Sequence, residues 1–381
     1  MTSVVINALP HSRGGGVTYL KNVLTHFGDD GNHYRVLLRP ETDIIVNHDN
    51  VELQTIRFPD DSLPVRLWFE QAVLPIKLVQ WDADVLYSPG DTTTVAAPCP
   101  VVLQIQNINP YYGRGSQNCS RALRAKFLGQ RLLSRLSGLR AAETIFVSNH
   151  ARKRANSFLK IPPSETNIVY HGVNSELFTV PEPPSNPHVR KLVTDGPKYL
   201  LCVSTVNAHK NFETLLRGFA ALPEEIREKH HVAIAGAIVA EDYYESLLSI
   251  ARAENIEQRV EFLGRVPHQD TVNLYHGAEA YVLPSKIESF GLTLVEAMAC
   301  GTPVVASDAA CIPEIVGDAA KLFDPDDPGD VASALQRVLT DDRYRERLAR
   351  KGKARSERFS WERTATKVRT VLEQAAAGDE R

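Results

Sequence analysis

The chain has 381 residues, of which 43% are hydrophobic and 23% charged, with a formal net charge of -3. That length suits two domains with large cores, and the slightly acidic balance excludes general nucleic-acid binding through a basic surface. Five scattered cysteines, Cys99, Cys119, Cys202, Cys300 and Cys311, show no metal-ligand spacing and are expected as reduced thiols in the cytoplasm; the N-terminus lacks a signal peptide's basic region, and no apolar run approaches a membrane span.

In chain order, residues 3–9 read as a strand, followed by a Gly-rich turn and a helix over 17–27. Strands are predicted at 34–38 and 51–57, a helix over 63–81 despite Pro64 and Pro75, and short buried strands at 84–87 and 101–106. A helix over 121–141, a strand at 144–147, a helix over 151–159 and a strand at 167–170 complete the first half. Strands alternating with helices imply a parallel sheet covered on both faces. Residues 180–187 contain four prolines and the stretch to 197 lacks apolar periodicity, which predicts a linker over 181–197. The second half restarts with a strand at 199–203 and a helix over 212–222. Strands follow at 232–235, 260–262, 280–283, 304–306 and 322–323, with helices between. The expected organisation is a first α/β domain over 1–180, a second over 198–358 and a final helix in 359–381. Both domains should be doubly wound and Rossmann-like, facing each other across a cleft, with ligands at the carboxyl ends of the strands.

The most informative segment is Glu288-Ser-Phe-Gly-Leu-Thr-Leu-Val-Glu296, continuing into Ala-Met-Ala-Cys-Gly-Thr-Pro-Val-Val-Ala306. Glu288 falls on a loop after a strand. The rhythm of Leu292, Leu294, Val295 and Met298 predicts a short helix starting near Gly291 and ending at Gly301. The start of such a helix offers free backbone N–H groups to an anion. Glu296, about one and a half turns in, would face the same mouth. Two acceptors flanking an anion site suit a ligand with phosphates in its middle and hydroxyls at both ends, the layout of a sugar nucleotide.

Embedded in Pro-Ser-x-x-Glu-Ser-Phe-Gly-Leu-x-x-x-Glu-Ala-Met-Ala-x-Gly-x-Pro-Val-Val, the two glutamates resemble the signature of the retaining family 4 glycosyltransferases, which have the GT-B fold. The resemblance covers most of the chain and is strongest over 195–361. It implies a metal-independent hexosyltransferase that takes a nucleotide sugar, with GDP-mannose or a related hexose or deoxyhexose donor favoured, and a glycan or lipid-linked acceptor. Polysaccharide and cell-envelope synthesis is the implied setting, and the final helix should cross back to the first domain. No cofactor is implied beyond the nucleotide sugar as substrate. The implied roles are ribose binding for Glu296, sugar hydroxyls for Glu288, and phosphate and sugar for the amides of Phe290, Gly291 and Leu292.

Lys210 lies in Cys-Val-Ser-Thr-Val-Asn-Ala-His-Lys-Asn211, after the first strand of the second half. A lysine there can reach a diphosphate and offset the charge that develops as it leaves. Thr205, Lys210 and Asn211 match the family pattern; Ser204, Ala208 and His209 depart from it. His209 stands where the family has arginine, so the clamp on the diphosphate is expected to be weaker or pH-dependent. Gly14-Gly15-Gly16, after the first strand, permits the close backbone approach that phosphates need, and the resemblance puts Gly15 and Gly16 at the donor. Gln106 and Asn107 occupy the place of a family His-Asp pair near the donor sugar. Either they contact the sugar, with preference for a donor altered at C6, or they only tie down a strand end. The following loop offers Tyr111, Tyr112 and Arg114 as an acceptor-facing segment with aromatic faces for a sugar, or else is only a surface loop.

From residue 121 to 140 there are five arginines and one lysine and no acid, interleaved with Leu123, Phe127, Leu132, Leu136 and Leu139. Two readings stay open. The helix lies on anionic lipid, giving a peripheral contact with the inner membrane face, or its leucines face the core and its basic back is solvated. For the whole chain, the rival to an enzyme is a catalytically weak sugar-nucleotide-binding subunit that supports a partner transferase.

Overall fold

The computed structural model describes residues 1–11, 14–28, 30–58, 63–112, 121–174, 177–178 and 182–378; the side chains of residues 63 and 121–123 lie outside that description. Two compact units divide the chain: Met1–Arg114, Cys119–Gly172 and Trp361–Arg381 form one, and Val173–Ser360 makes up nearly all of the other.

In the first unit seven strands, β1 (Ser3–Asn7), β2 (His33–Leu38), β3 (Val51–Thr55), β4 (Val85–Ser88), β5 (Val101–Ile105), β6 (Glu143–Phe146) and β7 (Thr166–Ile168), form one sheet in the order β3-β2-β1-β4-β5-β6-β7. All its pairings are parallel. Strands β4 and β5 are buried at every position, the mark of a sheet covered on both faces. The strand order reverses between β1 and β4, so the loops after those two strands part there and leave a crevice. The predicted helix over 63–81 is present but interrupted: Leu63–Trp68 and Leu74–Gln80 are α-helical, and Phe69–Val73 is a π-turn. Pro75 explains it, because it has no N–H to bond the carbonyl four residues back; Leu74 N–H instead reaches the Phe69 carbonyl, five residues back.

The helix Trp361–Ala377 completes this unit. Trp361 is buried, with its ring edge-on to Tyr19 at 6.1 Å between centroids. Thr364 donates to the Tyr170 carbonyl at 2.8 Å, and Arg369 reaches Asp30 at 3.2 Å.

The second unit holds β8 (Lys198–Val203), β9 (His230–Ala235), β10 (Val260–Gly264), β11 (Ala280–Leu283), β12 (Val304–Ser307) and β13 (Ala320–Phe323). They are all parallel, in the order β10-β9-β8-β11-β12-β13. The order reverses between β8 and β11. The predicted linker over 181–197 is corrected here. Pro187–Asp195 is a helix, capped by the Asn186 side chain accepting from His188 and Val189 N–H, with Val189 and Leu192 buried. The chain just before it is also tied down: Asp270 accepts from Ser185 N–H and hydroxyl and from Asn186 N–H at 2.7–2.9 Å. Only two apolar residues face inward, three apart, too few to show as periodicity in the sequence.

Candidate functional site

The switch point of the second sheet sets the loop after β8 beside the loop after β11. A short turn, Ala208–Lys210, follows β8 and ends at Asn211, which takes the left-handed conformation with φ 59°. Asparagine tolerates that region better than most residues. Asn211 is fully buried. Its side-chain N–H groups donate to the carbonyls of Pro284 (3.0 Å) and Pro325 (2.8 Å), and its oxygen accepts from Thr214 (2.8 Å). One side chain thus ties the loops after β8, β11 and β13 together. Expected among the donor-contacting residues, Asn211 has no side-chain hydrogen left for a ligand, and its role is positioning. A second tie runs from Lys286 N–H to the His209 carbonyl at 3.0 Å.

Held between these ties, Lys210 Nζ lies 2.7 Å from Glu288 Oε1. The side chains are 16% and 12% exposed, so the pair sits at a mouth, shielded from water but reachable. Thr205 is exposed at the head of the same loop. His209 does not supply a second cation. Burial, and then the neighbouring Lys210 charge, push its imidazole down to about 4, which favours the neutral ring near pH 7 and accords with the weaker of the two clamps the sequence suggested.

Gly291 caps the helix Leu292–Ala299 at φ 82°. A side chain there would be strained, and a Cβ would lie 2.8 Å from Leu294 Cδ1. No side chain caps this end, and the Leu292 and Thr293 amides have no hydrogen-bond partner among the described residues. The Phe290 ring is buried, edge-on to Phe359 at 5.7 Å, so only its backbone can meet a ligand. Glu296, in the second turn, accepts from the Tyr275 hydroxyl at 2.9 Å. Glu296 keeps part of its surface open, yet protein surrounds its carboxyl closely; burial raises its pKa, against the pull of nearby His268 and the Tyr275 bond. Tyr275 is fully buried and had no signal in the sequence. The arrangement provides a cation, two carboxylates and a row of free amides over a span of one sheet edge. Among the described residues, no three His, Cys, Asp or Glu side chains lie close enough together to hold a metal ion.

The remaining candidates belong to the first unit. Gly15 and Gly16 open the helix Gly15–Thr25 at the end of β1, and Gly14 (φ 72°) caps it without a side-chain bond. Gly16 lies against the His11 ring, where a Cβ would meet Nδ1 at 2.1 Å. Burial holds His11 at about 4, hence neutral. Near it, the π-turn presents buried Glu70 to Asn7, which donates at 3.1 Å, with Arg66 Nε 3.8 Å away. The sequence reasoning missed this cluster, although an acid inside an apolar helix just before Pro75 was a usable signal.

Gln106 and Asn107 are bound by the chain itself. Both backbone N–H groups donate to Asp91 Oδ1, at 2.6 and 3.1 Å, and the Asn107 side chain accepts from Asn109 N–H at 3.0 Å. That favours the strand-end reading for Asn107, while Gln106 Nε2 is buried without a partner among the described residues. Tyr111 is buried, its ring 6.0 Å from Phe158, so of the two readings open for this loop the sugar platform gains no support from it. Tyr112 bonds His150 at 2.8 Å and has the Arg154 guanidinium over its face at 4.5 Å, so that face is taken. Arg13, Arg114 and Cys119 lie outside the described residues.

With this geometry in hand, two family matches take in most of the chain. Residues 186–355 match the family described as glycosyl transferases group 1, and residues 13–177 match glycosyltransferase family 4. Among curated relatives, the chain is 36% identical over 170 residues to O-antigen chain mannosyltransferase B of Escherichia coli, covering 45% of this chain and 44% of that one. It is 36% identical over 211 residues to D-inositol 3-phosphate glycosyltransferase of Thermobifida fusca, covering 53% and 48%. The chain thus spans under half the length of both. Sucrose-phosphate synthase from Thermosynechococcus elongatus has the same fold, with a TM-score of 0.78, 19% identity and coverage of 99% and 100%.

Proposed function

The chain belongs to the family 4 glycosyltransferases, and we propose that it moves a hexose from a nucleoside diphosphate sugar to a glycan or lipid-linked acceptor, with retention and without a metal. The observation that carries this reading is the Lys210–Glu288 pair, 2.7 Å apart, beside the uncapped start of the Leu292–Ala299 helix. The free amides take the phosphates, Lys210 takes the charge of the departing diphosphate, and Glu288 holds sugar hydroxyls at the reacting end. Glu296, steadied by Tyr275, accepts from the ribose. In this scheme the acceptor oxygen bonds to the anomeric carbon on the face the diphosphate leaves, and the leaving phosphate oxygen takes the acceptor's proton. Rate acceleration then comes from positioning and electrostatic stabilisation of the leaving group. Lys210 supplies in that step the positive charge that a metal ion supplies elsewhere.

A mannose donor is favoured by the likeness to the O-antigen mannosyltransferase. The acceptor class is left broad because the second relative is named for an inositol phosphate. The cytoplasm is the compartment of this reading, where thiols such as buried Cys202 and Cys311 stay reduced. The test is a binding and turnover panel of GDP, UDP, dTDP and ADP sugars, run with and without a chelator, with the anomeric configuration of the product read by NMR. Retained configuration and a rate indifferent to chelator support the reading. An inverted product, or a rate abolished by chelator and restored by metal, overturns it. Donor binding with no transfer to any acceptor would favour the supporting-subunit reading.

A further inference from the structure

Glu70 is an acid that neither the transfer chemistry of the second unit nor the packing of the first explains. It is 2% exposed and sits on the π-turn Phe69–Val73; single π-turns inside α-helices recur at functional sites. Its Oε1 accepts from Asn7 Nδ2 at 3.1 Å. Asn7 ends β1, where the strand order reverses and where sheets of this kind bind ligands. Glu70 Oε2 accepts nothing among the described residues. Arg66 stands beside it with Nε 3.8 Å from Oε1, whereas a bonded arginine–carboxylate pair closes to about 2.7–2.9 Å. The Arg66 guanidinium makes no hydrogen bond among the described residues, yet the side chain is 15% exposed and so can be reached. Arg39, the other cation whose charge is felt at Glu70, is already bonded to the Leu9 carbonyl at 2.9 Å and to Glu41 at 3.3 Å. His11, close enough to feel the Arg66 charge, is neutral, and its Nε2 is buried without a partner among the described residues.

An acid buried this deeply is costly unless it is paired and fully hydrogen-bonded. Here the pair is held apart, and each member keeps bonding capacity unused. A hydroxyl fits that gap, because one oxygen can donate to Glu70 and accept from Arg66. A phosphate would set its charge against the carboxyl in the same buried space, and an ammonium would set its charge against the guanidinium. Resting on the reading of the chain as a transferase, we infer that Glu70 and Arg66 bind a ring hydroxyl of an uncharged glycan acceptor and reject an acceptor presented through a phosphate.

The test is ligand-observed NMR and initial rates on the purified full chain with two kinds of probe. One is a set of methyl glycosides of mannose, galactose, glucose and N-acetylglucosamine; the other is D-inositol 3-phosphate. Donor affinity is measured on every variant by calorimetry. The wild type is expected to bind and use at least one methyl glycoside and to ignore the inositol phosphate. Glu70→Gln keeps the size of the side chain and its bond to Asn7 but removes the negative charge. Its affinity for the glycoside should fall about 10- to 100-fold, while binding of the inositol phosphate appears. Arg66→Gln should weaken the glycoside too and gain no affinity for the phosphate. Both variants should keep wild-type donor affinity, which Lys210, Glu288 and Glu296 set in the second unit. A wild type that binds donor but none of the glycosides, or unchanged glycoside affinity in Glu70→Gln, overturns the inference and leaves the transferase reading standing. A fall for the glycoside with no gain for the phosphate marks Glu70 as structural and overturns it as well. Absence of donor binding by the wild type overturns the transferase reading, and this inference with it.

Discussion

Replacing Lys210 with Met should separate what the Lys210–Glu288 pair does for the fold from what it does for chemistry. The change keeps the length of the side chain and removes its charge, leaving Glu288 alone in a site where it is 12% exposed. Removing one partner of a fully buried pair costs about 3–5 kcal/mol, and the open side of this mouth reduces that to about 2 kcal/mol. In a unit of this size that lowers the melting temperature by about 4–8 °C. Glu288→Gln should cost a similar amount by stranding Lys210. The double variant, with no charge left to strand, should cost about 1 kcal/mol in place of the summed ~4, a coupling of about 3 kcal/mol in the thermal cycle. Turnover should behave differently. Loss of a cation aimed at a leaving group lowers the rate by about 10²–10³-fold, and the double variant should stay as slow as the Lys210 single variant. The assay is thermal unfolding of all four proteins alongside initial rates at saturating donor. Zero coupling would show that the pair is a solvated accident, and a Lys210→Met enzyme within a few-fold of wild-type rate would remove the leaving-group role.

Three further outcomes follow from the geometry. Burial raises Asp91 from 3.8 to about 6 despite its two backbone hydrogen bonds; the folded protein therefore holds this proton more tightly than the unfolded chain. The stability contribution falls as pH rises from about 4 to about 6 and stays low above that, so Asp91→Asn should add about 1–2 kcal/mol at pH 7 and flatten the curve in that window; a variant less stable at pH 7 contradicts it. Gly291→Ala forces a side chain into the left-handed region against Leu294 and should cost about 1–3 kcal/mol with weaker nucleotide binding, which urea titration and calorimetry would check. Asn211→Ala leaves two loop carbonyls and the Thr214 hydroxyl without this partner and should lower stability by about 2–4 kcal/mol. Unchanged urea midpoints for Asn211→Ala would mean the three loops hold themselves in place.

Strand after strand was legible because buried parallel strands leave short continuous apolar runs, as at 101–105 and 280–283, and the helices between them announce their length. The Gly291–Glu296 site was legible because a glycine, a helix start and two carboxylates have fixed spacing in the chain itself. What was not legible depends on which way a side chain turns. Tyr111 reads the same in a sequence whether it faces a sugar or Phe158. The leucines of the Arg121–Arg140 helix could be read as a core stripe or as an outward face; they are exposed, and the signal for that was Ser134, Ser137 and Gly138, small buried residues at three- and four-residue spacing on the opposite face. Asn211 matched a ligand-binding pattern, and only the positions of the Pro284 and Pro325 carbonyls show that its hydrogens are already taken. His209 looked titratable because the burial of its ring is invisible in one dimension.

The helix Trp361–Ala377, which completes the first unit, is synthesised only after all of 173–360. Trp361, Thr364, Arg369 and Glu373 reach Tyr19, Tyr170, Asp30 and Asn32, residues synthesised before any of 173–360. At about 5–20 residues per second, those intervening residues take roughly 10–40 s to emerge. For that interval the Tyr19 side of the nascent sheet waits uncovered, while the later unit has its whole sequence first. A premature stop just before Trp361 would therefore spare the later unit and leave the earlier one open, so nonsense mutations at that point should act as folding defects of residues made long before them.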